Sequence, residues 1–336
     1  MSADIVRRNA MRATLLACLI APLASFGEAR TKWDFFIFVP TTHPVGAHAM
    51  GFADMVRKQT DGRLDITIRP PGELPYKATE VVRVVADGNV QLGDGISGWV
   101  GGETPVGGFL AMPYLISTGD DLATVWPKIE PILQGDLQRW GVRVLYHYYW
   151  PELQFWGARN PIRNLNDIKG RKIRVTNPES GYLVKQLGGE AVSFLAAETP
   201  MAMQRGMMDS LTTSILNLVG SKWNEFVKWG YLSNMNVSPS YVLINEAAYK
   251  ALPKDVKTAV NRAAKETETG MLRSIPKLEA DYREKLRAQG VQLIEQTVQD
   301  REQATKIMVP FWQAQAQQSG AATQRALRVI RESLRK

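Results

Sequence analysis

Thiol chemistry is all but missing from this sequence. Its one cysteine, Cys18, lies in a stretch with the form of a targeting segment. Arg7, Arg8 and Arg12 make a positive n-region, and Ala13 to Phe26 an apolar run too short to span a bilayer. Small residues follow, with Ala29 the expected position just before a cut. Residues 1–29 thus read as a signal peptide. The pair Arg7-Arg8 faintly resembles a twin-arginine signal without its large apolar residues, and Leu15-Leu16-Ala17-Cys18 resembles a lipobox. The apolar run continues well past Cys18, so ordinary cleavage is the expectation. Loss of Cys18 leaves a mature chain with no disulfide, no thiol nucleophile and no thiolate metal ligand. No later run is apolar for long enough to make a transmembrane helix, so the mature chain is expected to be soluble, with room for two domains.

Imidazole is scarce as well: His43, His48 and His147 are the whole supply. His43 and His48 are five apart, off a common helical face, and no HExxH occurs, so no metal site is expected. Gly95-Ile96-Ser97-Gly98-Trp99 approaches G-x-S-x-G but ends on Trp. The glycines from Gly98 to Gly108 precede neither Gly-Lys-Ser/Thr nor GxGxxG, which removes a phosphate cradle. Neither catalysis nor a cofactor is expected. The formal charge is +8, or about +7 after the leader is removed. Basic residues are spread among acids, and the dense clusters Arg171-Lys172-Arg174 and Arg325 to Lys336 lack the aromatic interleaving of a nucleic-acid platform. No nucleic-acid partner is expected.

What is present is the alternation of an α/β protein. Phe35 to Val39 reads as a short buried strand. Pro44 opens a helix with Ala49, Phe52, Ala53 and Val56 on one face, and Gly62 stops it. Leu64, Ile66 and Ile68 alternate with polar residues as a half-buried strand. Ala78, Val81, Val82 and Val85 repeat the helical spacing up to Gly88. This rhythm predicts a parallel-sheet α/β domain. A second α/β block begins near Phe155, with a tight turn at Asp167 to Gly170, a strand Lys172 to Val175, and helices around Tyr182 to Leu187 and Glu198 to Gly206. Lys254 to about Ala288 is charged and helical, long enough to run across both domains. The fold class is thus two α/β lobes with a ligand cleft between them. Residues 30–153 with about 240–280 would form lobe I. Residues 154–239 with about 281–310 would form lobe II, with 311–336 a C-terminal helix packing back on them.

From Thr41 onward the order of motifs resembles the solute receptors of tripartite ATP-independent periplasmic (TRAP) transporters, the DctP-type family. The likeness runs through His43-Pro44, Thr60-Asp61-Gly62-Arg63-Leu64, Pro71-Gly72-Glu73-Leu74 and Met112-Pro113-Tyr114. It continues through Asp167 to Val175 (DIKGRKIRV), Glu198 to Asp209 (ETPMAMQRGMMD) and Ile244-Asn245 to Leu252-Pro253. The resemblance implies a periplasmic receptor, monomeric, that closes two lobes on a small organic acid and delivers it to TRAP membrane subunits. It also implies an ion pair between the ligand's carboxylate and Arg174. The chemistry agrees: Arg offers a planar donor fork that fits a carboxylate and stays charged when desolvated. On the strand, Arg174 faces away from Ile173 and Val175. A second contact is expected at Arg159 or Asn160. Thr213, within Thr212-Thr213-Ser214, stands where sialate-type members carry Asn, which disfavours sialic acid. His43, Trp99, Phe155 and Trp156 fall in regions matching the cleft, and their aromatic character favours an apolar carboxylate over a sugar acid. Two other readings stay open: a receptor for another importer or a sensor, and a periplasmic hydrolase or lyase with His147 or Glu152 as base.

Overall fold

A computed structural model describes residues 30–196 and 198–336. The leader, with Cys18 and the cut after Ala29, lies outside them. Two sheets organise the chain. The first has the order β2-β1-β3-β10-β4, from Leu64–Arg69, Thr31–Phe36, Leu92–Ile96, Ser238–Asn245 and Val142–Trp150. The second has the order β11-β9-β5-β8-β6-β7, from Gln292–Glu295, Trp229–Leu232, Leu153–Gly157, Ser210–Ser214, Lys172–Arg174 and Glu190–Val192. Helices cover both, giving two α/β lobes.

The expectation of parallel sheets needs correction, because each sheet carries one strand that opposes its neighbours. In the first it is β10, antiparallel to β3 and β4; in the second it is β5, antiparallel to β8 and β9. The cause is the path of the chain. β4 ends at Trp150 and, with only two residues between, β5 begins in the other sheet; β9 ends at Leu232 and the chain returns as β10 at Ser238. A strand leaving one sheet at its cleft edge enters the other at the cleft edge too, and so runs against the strands already pointing there.

Local sequence explains the elements that frame the cleft. The first strand starts earlier than expected, at Thr31, because it pairs with β2 from Thr31–Leu64 to Phe36–Arg69. Pro44 sits in the first turn of the helix Pro44–Gln59, where its missing N–H costs nothing, and His43 caps that helix by accepting from Val45 N–H. The buried face is the predicted one, Ala49, Phe52, Ala53 and Val56. The long helix is continuous from Lys254 to Ala288, about 52 Å at 1.5 Å per residue. It packs on the helix Pro44–Gln59 and β4 in the first lobe and on the helix Ile215–Gly220 in the second. The C-terminal segment is two helices, not one. Val298–Gln318 packs on Pro178–Gln186, and Ala321–Leu334 on Gly119–Gln138; Gly320, at φ 93°, makes the break. Among the described residues no helix is long and apolar enough to cross a membrane.

Candidate functional site

Strand ends from both sheets converge on a cavity of about 150 Å³. That is about ten times the space that one water needs, so it suits a ligand on the order of ten non-hydrogen atoms. The first lobe supplies Phe38 after β1, Ile96 at the end of β3, Trp99 in the turn that follows and Trp150 at the end of β4. The second supplies Arg174 at the end of β6, Thr213 and Ser214 at the end of β8, and Asn217 on the next helix. Thr176 and Asn177 follow Arg174 into the wall.

Arg174 is the only charged residue among those that line the cavity. It is 8% exposed. Its Nε and Nη2 donate to the Phe194 carbonyl at 3.4 and 3.3 Å, and its guanidinium lies 5.6 Å from the Trp223 ring. These contacts hold the side chain without neutralising it, and no ion pair from Arg174 is present among the described residues. Burial pulls the guanidinium down to about 10, which leaves it charged at neutral pH. Thr213 is oriented by a relay. Ser221 Oγ donates to Asn217 Oδ1 at 3.1 Å, and Asn217 Nδ2 donates to Thr213 Oγ1 at 3.0 Å. Because Thr213 accepts from Asn217, its own hydroxyl proton is free to donate into the cavity.

Of the other expected contacts, only Trp99 lines the cavity, edge-on to Phe38 at 4.9 Å. Thr212 points the other way on β8, is buried, and donates to the Arg174 carbonyl at 3.3 Å. Trp156 and Phe155 are wholly buried; the Trp156 Nε1 donates to the Thr213 carbonyl from behind the sheet. Arg159 and Asn160 are exposed beyond the far end of β5, about 13 Å of strand after Leu153, which is the residue at the cavity. Their carbonyls accept from Trp229 and Arg171. His43 is buried beside the cavity, not in its wall. Its ring lies 5.4 Å from Trp150, its Nε2 has no partner, and burial pulls it down to about 4. A Cβ built on Gly220 of the second lobe would stand 2.3 Å from that Nε2, so the two lobes touch here only because residue 220 is glycine.

The candidate bases do not face the cavity. His147 stacks on Trp126 at 4.0 Å, and its Nδ1 lies 2.6 Å from Glu268 Oε1. Glu152, pushed up to about 7 by burial and then by the Glu279 carboxylate, sits in the crossover outside the lining. Among the described residues no group of three or more His, Cys, Asp or Glu could hold a metal ion. The relay residues Asn217 and Ser221 escaped the sequence reading. Part of the signal was available: Asn217 and Ser221 stand four apart beside the apolar Ile215, Leu216, Leu218 and Val219.

Two α/β lobes, a long helix across both and a cleft with one buried cation define a two-lobed binding protein. The chain belongs to the DctP family of bacterial extracellular solute-binding proteins, family 7, whose model matches residues 35–319. That membership places it among receptors that work outside the cytoplasm, not among enzymes. It is 26% identical over 263 residues to the 2,3-diketo-L-gulonate-binding periplasmic protein of Escherichia coli, covering 76% of this chain and 79% of that one. It is 25% identical over 296 residues to the C4-dicarboxylate-binding periplasmic protein of Rhodobacter capsulatus, covering 85% and 86%. Two Bordetella pertussis extracytoplasmic solute receptors binding pyroglutamic acid superimpose with TM-scores of 0.83 and 0.84. Each is 25% identical, and the match covers 90% of this chain and 99% and 100% of theirs.

Proposed function

We propose that this protein captures a small organic acid between its lobes for a TRAP-type membrane transporter, with Arg174 paired to the ligand's carboxylate. One observation carries the reading: a buried guanidinium with no carboxylate partner among the described residues. An ion in that position costs several kcal/mol unless an opposite charge joins it. A carboxylate is the planar acceptor that an arginine fork fits. Thr213, with its free hydroxyl proton, adds a second donor on the same lobe. Similar proteins described as binding sugar acids, dicarboxylates and pyroglutamic acid support the ligand class.

The receptor is further proposed to act as a monomer. The chain's crossings between sheets support lobe I as 30–153 with about 240–280, and lobe II as 154–239 with about 281–310. Thermal unfolding against a panel of carboxylates, neutral sugars and amines tests the function. Ligand at a hundred times its dissociation constant adds about 2.7 kcal/mol of stability. Carboxylates should raise the melting temperature; a panel in which only a neutral solute does so would sink the proposal.

A further inference from the structure

The two walls of the cavity differ in kind, and the difference restricts the acid. Nearly all the polar side chains, and the only charge, stand on the second lobe: Arg174, Thr176, Asn177, Thr213 and Asn217. The first lobe presents ring faces. Phe38 lies 4.9 Å from Trp99, edge to face, and 5.7 Å from Trp150, tilted, so the three rings form one aromatic shelf of faces and edges. On this shelf the Trp150 indole N–H is already engaged, since its Nε1 donates to Ser240 Oγ at 3.1 Å. Trp150 therefore offers its face and not a donor. Ser238, at the start of β10, is the one hydroxyl on this side.

We infer that the ligand is a monoanion: one carboxylate held at Arg174, on a compact body of low polarity laid against the Phe38–Trp99–Trp150 shelf. This rests on the pairing of Arg174 with a carboxylate. A second carboxylate on a ligand of about ten non-hydrogen atoms would be driven onto the aromatic shelf. Besides Arg174, no Lys, Arg or His lines the cavity to receive it. A buried anion without partner is far costlier than a buried methyl or ring edge. A ring or short chain, by contrast, gains contact area from three aromatic rings. Sugar acids fare worse for a related reason, because several hydroxyls turned toward the shelf find Ser238 as its one hydroxyl and mostly ring carbon otherwise.

The test uses the mature chain, stripped of endogenous ligand by unfolding and refolding, and calorimetry with matched probes. Benzoate is compared with terephthalate, butyrate with succinate, and all four with glucuronate. We expect each monoacid to bind at least a hundredfold more tightly than its diacid, and glucuronate to bind more weakly than benzoate. Succinate or terephthalate matching its monoacid, or glucuronate surpassing benzoate, overturns the monoanion inference and leaves the organic-acid reading standing. No binding by any of the five removes both. Trp99→Arg supplies the missing second cation on the shelf. Once its unliganded melting temperature shows a folded protein, it should shift the succinate-to-butyrate ratio at least tenfold toward succinate. An unchanged ratio counts against the charge argument.

Discussion

Asp94 and Arg174 are both buried, both on inner strands of their sheets, and both poorly paired, yet they meet burial in opposite ways. Asp94 on β3 accepts one hydrogen bond, from Tyr148 at 2.7 Å, and its Oδ1 has none. Burial pushes its carboxyl up to about 7 against the pull of that bond, so it sheds its charge as the pH falls below neutral. Arg174 cannot do the same at any ordinary pH. An acid in a core relieves its own strain by taking a proton, whereas an arginine must wait for an anion. The lone buried arginine is therefore the stronger marker of a binding site.

The largest effect that would break this contrast is at Arg174. Arg174→Ala should cost about 2–5 kcal/mol of binding, roughly thirty-fold to several thousand-fold in affinity. The unliganded protein should melt no lower than the parent, because an unpaired ion has been removed. Arg174→Lys should also bind poorly, since an ammonium lacks the two-pronged geometry. Calorimetry beside denaturation decides. Near-normal affinity in a folded Arg174→Ala protein would end the reading.

Gly220 comes next. It is one of the places where the second lobe touches the first, against His43. Gly220→Ala should weaken binding by about 1–3 kcal/mol, the usual cost of overpacking, with an unliganded melting temperature close to the parent's. Equal losses in both measurements would place this contact in the core and not in lobe closure.

Asp94→Asn tests the other half of the comparison. The folded value of Asp94 lies above its unfolded one, so the native state holds the proton more tightly between about pH 4 and 7. This contribution to stability is present below that window and lost as pH rises through it. Denaturation at pH 5 and pH 8 should show Asp94→Asn narrowing the stability difference by about 1–2 kcal/mol. An unchanged difference would show that Asp94 ionises like an ordinary carboxylate. Smallest is Thr212→Val, which removes one buried hydrogen bond to the Arg174 carbonyl. About 1 kcal/mol of stability should go, with affinity changed less than twofold; a larger loss of affinity would bring Thr212 into the site.

Much of this was legible because it is local. The helix from Pro44, the alternation of Leu64, Ile66 and Ile68, and the placement of Arg174 opposite Ile173 all follow from side-chain period. The reversal of β5 and β10 was not legible, since period does not encode a strand's direction relative to partners far along the chain. The same gap explains the aromatic residues. Trp99 and Trp156 look alike in sequence; pairing of β5 with β8 and β9 turns Trp156 into the second lobe's core. Arg159 failed for a matter of strand direction as well. β5 enters at the cleft, so its beginning, not its end, meets the ligand.

The interleaving of the two sheets also bears on the order in which the chain can fold. β10 fills the gap between β3 and β4, so the first sheet stays split until residue 245 has been synthesised. The second lacks its edge strand β11 until residue 295. Contacts of such long sequence separation form slowly. A nascent chain of two hundred residues can thus complete neither sheet, and both lobes wait on the last third of the chain.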